Sequence, residues 1–107
     1  MARAYKNAKV DLTTTDITVL YTCPSVTTAI VTSILVSEDS GNADTISLTL
    51  TNAASAVFSL YKVKAVSANT TVELLTRPLV VEESEILKIQ AATAHRLHVV
   101  ASMLELS

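Results

Sequence analysis

The chain of 107 residues contains one glycine, one cysteine, two prolines and no tryptophan. A single cysteine excludes an internal disulfide, and Cys23 reads as a small half-buried hydrophobe rather than a nucleophile. One glycine is too few for a phosphate-cradling loop. Serines are plentiful, but none sits in a G-x-S-x-G elbow. Aromatics make up 4% of the chain, so its core must be aliphatic and no row of rings is spaced for stacking on bases. The net charge is -2 with no basic stripe, and no nucleic-acid partner is expected. No apolar run approaches the roughly 18 residues that suggest a membrane span. The start, Met1-Ala2-Arg3-Ala4-Tyr5-Lys6, is polar and lacks a signal-peptide core, so synthesis in a cytoplasm is expected.

Thr, Val, Ala, Leu and Ser fill the space left by these absences, and they alternate. In Asp44 to Thr51, Ile46, Leu48 and Leu50 point one way and Thr45, Ser47, Thr49 and Thr51 the other. That two-residue period belongs to a sheet with one buried and one wet face. Strands are predicted over Ala4–Leu12 (as a first strand or an extended arm), Ile17–Thr22, Thr28–Glu38, Asp44–Thr51, Ala56–Val66, Thr70–Leu75, Ile86–Ala91 and Arg96–Leu106, with a short apolar piece at Leu79–Val81. In the third, Ile30, Ile34 and Val36 are expected to share a face, with Val31 and Leu35 opposite. Turns fall at Thr13–Asp16, at Cys23-Pro24-Ser25, and at Ser40-Gly41-Asn42-Ala43, where the glycine makes positive φ cheap. About eight short strands in one domain, 1–107, predict an all-β fold: a single antiparallel β-sandwich, jelly-roll-like, with residues 1–9 as an N-terminal arm.

The charged fraction of 17% is low against the roughly 25% usual in soluble domains. It fits either a compact sandwich with a Thr/Ser surface or a chain that hides surface against copies of itself or a partner. The last strand bears on this choice. Leu97, Val99, Ala101 and Met103 lie on one face, and Val100, Leu104 and Leu106 on the other. A strand apolar on both faces needs cover on both. Val100, Leu104 and Leu106 are therefore the candidate self-association residues.

Clusters that could carry chemistry are weak. His95 and His98 are three apart, which on a strand puts them on opposite faces, and no cysteine or carboxylate set completes a zinc site. The oxygen-rich loop Glu38 to Asp44 does not match the twelve-residue calcium hand. Glu82, Glu83 and Glu85 read as an acidic turn rather than a glycosidase pair. No cofactor, metal or catalytic residue is expected, and the chain reads as non-enzymatic.

Several segments together resemble small β-sandwich virion proteins of tailed bacteriophages. They are Tyr5-Lys6-Asn7-Ala8, then Val19-Leu20-Tyr21-Thr22-Cys23-Pro24-Ser25, then Thr27-Thr28-Ala29-Ile30-Val31 leading into Ile34-Leu35-Val36. The Leu74 to Leu79 segment, Glu85-Ile86-Leu87 and the closing His98-Val99-Val100-Ala101-Ser102 extend the likeness over nearly the whole chain. One departure stands out: the turn after proline, usually a glycine in such proteins, is here Ser25-Val26. The resemblance implies a structural role in the virion. The first expectation is a capsid decoration or cement protein, a homotrimer on the major capsid protein, with arm residues Arg3, Tyr5 and Lys6 gripping the shell. The alternatives are a neck, tail or fibre protein, and a carbohydrate-binding module.

Overall fold

The computed structural model describes residues 2–107, so Met1, the first residue of the expected arm, lies outside the described residues. Nine strands follow in order: β1 (Arg3–Asp11), β2 (Thr18–Thr22), β3 (Thr28–Glu38), β4 (Asp44–Thr51), β5 (Val57–Val66), β6 (Thr71–Glu73), β7 (Leu79–Val81), β8 (Ile86–Ala91) and β9 (Leu97–Leu106). All pairs are antiparallel. One sheet runs β1-β9-β3-β6, with β7 also on β3; the other runs β2-β8-β4-β5. Counting β6 and β7 as one interrupted strand gives the strand order of an eight-stranded jelly roll. The interruption falls at Arg77-Pro78, where proline removes a ladder donor.

The core lies between the sheets and is aliphatic. Val31, Ile34, Val36, Leu97, Val99 and Ala101 from one sheet meet Ile46, Leu48, Leu87 and Ile89 from the other, all at most 1% exposed. The predicted alternation holds in β9, where Leu97, Val99, Ala101 and Met103 point inward, and in β4 for Ile46 and Leu48. It fails at the end of β4, where Thr51, expected on the wet face, is buried and Leu50 is only half-buried.

Two expectations are corrected. The first concerns residues 1–9 as an arm. Of these, Arg3 to Lys9 belong to β1, which pairs with β9 along its whole length from Arg3 opposite Leu106 to Asp11 opposite His98. The segment is a sheet strand, because Ala8 and Val10 have an apolar face to pack against the core. The second concerns β3. Its register against β9 slips between Val31 and Ser33, a β-bulge with Thr32 as the extra residue. The bulge switches the phase. Ala29 and Val31 point inward before it, and Ile34 and Val36 after it. Ile30 therefore does not share a face with Ile34 and Val36; it joins Leu35 on the outer surface. Two successive polar residues, Thr32-Ser33, occupy the place where strict alternation would need one.

The proline turn also has a physical cost. Val26 adopts φ 56 and is 79% exposed. A β-branched residue is an outlier in that region, and no burial compensates it. Val26→Gly is expected to stabilise the fold by about 1 kcal/mol, read from urea unfolding midpoints. The bulge makes a sharper prediction in the same assay. Ile34→Ala should cost about 2–5 kcal/mol, whereas Ile30→Ala, on the half-exposed face, should cost about 1 kcal/mol or less. Equal losses would mean that β3 keeps one phase throughout.

Candidate interaction surface

Side chains opposite one another on paired strands share a face, so the registers define the outer surface of the β1-β9-β3 sheet. Tyr5 on β1 faces Leu104 on β9, which faces Ile30 on β3, which faces Val80 on β7. This is one apolar row across four strands. Its ends are open: Tyr5 is 88% exposed and Val80 54%. A second row runs Lys9, Val100, Leu35, Glu73, with Val100 and Leu35 about two-fifths exposed. Between the rows the bulge leaves a groove of about 370 Å³, lined by Tyr5, Asn7, Thr32, Ser102 and Leu104 together with Lys6 and Met103. The Thr32 hydroxyl donates to the Ser102 carbonyl at 3.3 Å across the bulge.

The three residues expected to mediate self-association, Val100, Leu104 and Leu106, lie together on this face. Two of the three residues expected to touch a shell lie beside them: Arg3 is opposite Leu106 and Tyr5 opposite Leu104. The two sets form one surface rather than two. Lys6 is placed elsewhere. It is opposite Met103, on the core-facing side, and its ammonium reaches Glu105 at 2.9 Å. Ile30, Leu35 and Val80 complete the surface and escaped sequence reasoning. The phase switch hid the first two, and a three-residue strand gave no periodicity for Val80. Strand β5 also carries exposed apolar side chains, at Val57, Phe58, Leu60 and Val63. They lie on a strand whose register slips twice against β4.

Carboxylates brace this scaffold, and of these Glu105 and Glu38 are buried. Glu105 points inward from β9 and is 8% exposed. It accepts from the Tyr21 hydroxyl on β2 and pairs with Lys6 on β1, so one side chain ties three strands at the flank of the sandwich. The Tyr21 bond and Lys6 hold the Glu105 carboxyl below its ordinary value against the opposing effect of burial. Burial first, and then the Glu105 acceptor, push the Tyr21 phenol upward. Glu73 lies beside the bulge. It accepts from the Ser33 hydroxyl, from Ile34 N at 2.7 Å and from Leu75 N at 3.2 Å. Burial opposes its ionisation, yet these donors win and its carboxyl is lowered.

Glu38 is the most enclosed, at 1% exposure. It collects the amides of Ser40, Gly41, Asn42 and Asn69 and the Ser40 hydroxyl. One carboxylate thus closes both the β3–β4 turn and the β5–β6 turn. Burial raises its pKa, but the hydrogen bonds outweigh that and bring it to about 2. In the oxygen-rich loop considered for calcium, this carboxylate is already committed to backbone amides.

The remaining sequence candidates are separate. His95 lies in the turn before β9, at φ 66, and its amide donates to the Leu12 carbonyl. His98 faces outward, 3.2 Å from Asp11 and 3.7 Å from Asp39. Cys23 is buried, its thiol donates to the Thr27 carbonyl, and burial raises its pKa. Within the acidic turn, Glu85 accepts from the Glu82 amide. No group of three or more His, Cys, Asp or Glu able to hold a metal occurs among the described residues. Of the aromatics, Tyr5 is on the outer face, Tyr21 is bonded to Glu105, Tyr61 lies under Lys64 and Phe58 is exposed on β5.

Compared with known proteins, the chain matches no family model and no curated protein.

The lowered carboxyls set the acid limit of the fold. A group with a depressed folded pKa contributes stability that is complete above its unfolded value and is lost as pH falls toward the folded one. For Glu38 that window runs from about 4.5 down to about 2. Glu73 and Glu105 are lowered too and act with the same sign. The urea midpoint should therefore be flat near neutrality and fall steadily below pH 4.5. Glu38→Gln should lower the midpoint at pH 7 and flatten the acid decline. An unchanged acid slope would remove Glu38 from this role.

Proposed function

We propose that the chain is a non-enzymatic structural protein of a tailed-phage virion, with decoration of the major capsid shell as the preferred role. The observation that carries this reading is the apolar row Tyr5–Leu104–Ile30–Val80 across the outer face of a jelly-roll sheet. Apolar surface of this extent on a small domain fits a contact surface. The fold and the sequence resemblance support the same reading. Attachment is by many copies, each weak, across a repeating lattice. The outer face supplies both the contact with the shell and the contact with neighbouring copies, since Arg3 and Tyr5 adjoin Leu104 and Leu106. A homotrimer is the arrangement that the resemblance implies, with Val100, Leu104 and Leu106 at its contacts. A place in the neck, tail or fibre uses the same face and differs in copy number.

Quantitative mass spectrometry of purified virions of the encoding phage tests the role. Hundreds of copies per particle are expected for decoration, and a few tens or fewer would move the protein to the neck, tail or fibre. Absence from the particle would end the virion reading. The surface is tested by Val100→Asp combined with Leu104→Asp. Both side chains face outward, so circular dichroism should stay β-like while attachment to particles falls by about tenfold or more. Full attachment of that variant would clear this face of the role.

A further inference from the structure

A sheet edge offers unpaired backbone groups to any strand that fits, and proteins usually blunt it. Three of the four edges here are blunted. Strand β2 has five residues and a register slip between Val19 and Tyr21. Strand β5 slips twice against β4 and holds Val63 at φ 54. The β6/β7 edge is two three-residue pieces separated by Arg77-Pro78. The fourth edge, β1, has nine residues, no slip, no proline and no glycine.

Its free backbone groups can be assigned. Ala2 and Ser107 exchange both amide–carbonyl bonds, and Leu12 N donates to the Leu97 carbonyl. In an antiparallel ladder such pairs recur at every second residue. Even-numbered residues of β1 therefore face β9. Arg3, Tyr5, Asn7, Lys9 and Asp11 direct their amides outward, away from the sheet. The side chains of these same five residues lie on the outer face with Tyr5.

We propose that two copies of this chain join β1 to β1, antiparallel across a two-fold axis at Asn7, so that their five-stranded sheets run on as one. In this register Asn7 faces Asn7 of the second copy, and outward backbone groups lie opposite outward groups along the pair, although the Asp11 carbonyl already accepts from Thr13 N at 2.9 Å and would share its acceptor at the two ends. Arg3 faces Asp11 of the second copy, and by symmetry Asp11 faces its Arg3. Lys9 faces Tyr5, whose ring is otherwise 88% exposed, and can lay its stem and charge against it. On the core side Ala4 faces Val10 and Lys6 faces Ala8, and each Lys6 is already neutralised by its own Glu105.

Charge selects this register over its neighbours. Sliding one strand by two residues keeps the backbone parity. One direction sets Arg3 against Lys9; the other carries Arg3 beyond the paired region. Lysine on an edge generally repels a second strand, and here only the Asn7-centred pairing gives both basic residues of the outer row a favourable partner. Asp11 remains accessible for this, its side chain being 63% exposed although His98 lies beside it. The contact is isologous, the same patch on both copies. It needs only the β1 edge and stands whether or not the chain belongs to a virion.

The test is the solution mass of the full chain by light scattering over a dilution series, with two charge-reversal variants. A concentration-dependent association is expected for the native chain. Arg3→Asp alone sets two aspartates opposite one another, and Asp11→Arg alone sets arginine against arginine, so each should weaken association by about tenfold or more. Mixing the two variants should restore it as a heterodimer, because the aspartate introduced at position 3 of one copy then faces the arginine introduced at position 11 of the other, and Asp11 of the first faces Arg3 of the second, so both pairs are opposite in sign. A second rescue is the double variant Arg3→Asp with Asp11→Arg, in which both pairs are again opposite in sign within a dimer of one species. That double variant should associate as the native chain does. Asn7→Pro should also abolish association while leaving the β-sheet circular dichroism intact, since the lost amide points away from β9. A mass that neither single reversal changes, whether monomer or trimer, overturns the proposal, as does a double variant that fails to re-associate. Virion mass spectrometry bears on the proposed role alone, and these masses bear on the β1 contact alone.

Discussion

The bulge at Thr32 in β3 is the constraint on which the rest of the structure depends. Strand β3 is central, flanked by β9 on one side and by β6 and β7 on the other. One extra residue there lets Ala29, Val31, Ile34 and Val36 all reach the core from a single strand. The same step turns Ile30 and Leu35 outward. Core and outer surface are thus two consequences of one local distortion. Glu73 holds it in place, taking the Ser33 hydroxyl and the Ile34 amide that the bulge displaces. Its donors come from β3, at Ser33 and Ile34, and from Leu75 just beyond β6.

The same device recurs where the chain has few charges. Only 17% of residues are charged, yet Glu38 and Glu105 are among the most buried polar groups. Burying a carboxylate costs several kcal/mol unless donors replace water. Glu38 replaces water with backbone amides from two turns; Glu105 does so with a phenol and an ammonium from two other strands. Each side chain ties together segments far apart in sequence. In a core of aliphatic residues with no directional preference, these carboxylates supply geometry that packing alone leaves loose.

The outer sheet has the opposite character. Its apolar row needs no hydrogen bonds and fits any flat, complementary surface. The β1 edge beside it is directional: in the proposed pairing its backbone groups and the charges of Arg3, Lys9 and Asp11 select a strand of one polarity in one register. The two surfaces meet at Tyr5, which ends the row and lies on the edge.

The all-β class, the strand spans, the inward face of β4 and the two-faced apolar character of β9 were legible because alternation with a period of two depends on local sequence alone. Glu105 shows where that legibility stopped. Its place on the inward face of β9 follows from the same alternation, but its partner Tyr21 is 84 positions away and Lys6 lies near the opposite end of the chain. Periodicity contains no information about such distances. The phase of β3 was decided by pairing, since a bulge exists only relative to the strand opposite. Whether β1 is an arm or a strand was decided by β9, whose unpaired backbone groups and apolar inner face complete it. The sequence by itself determined where the strands form and, away from bulges, which residues of a strand share a face. The tertiary structure decided which of them meet, because the registers between strands, and not the strands themselves, set those neighbours.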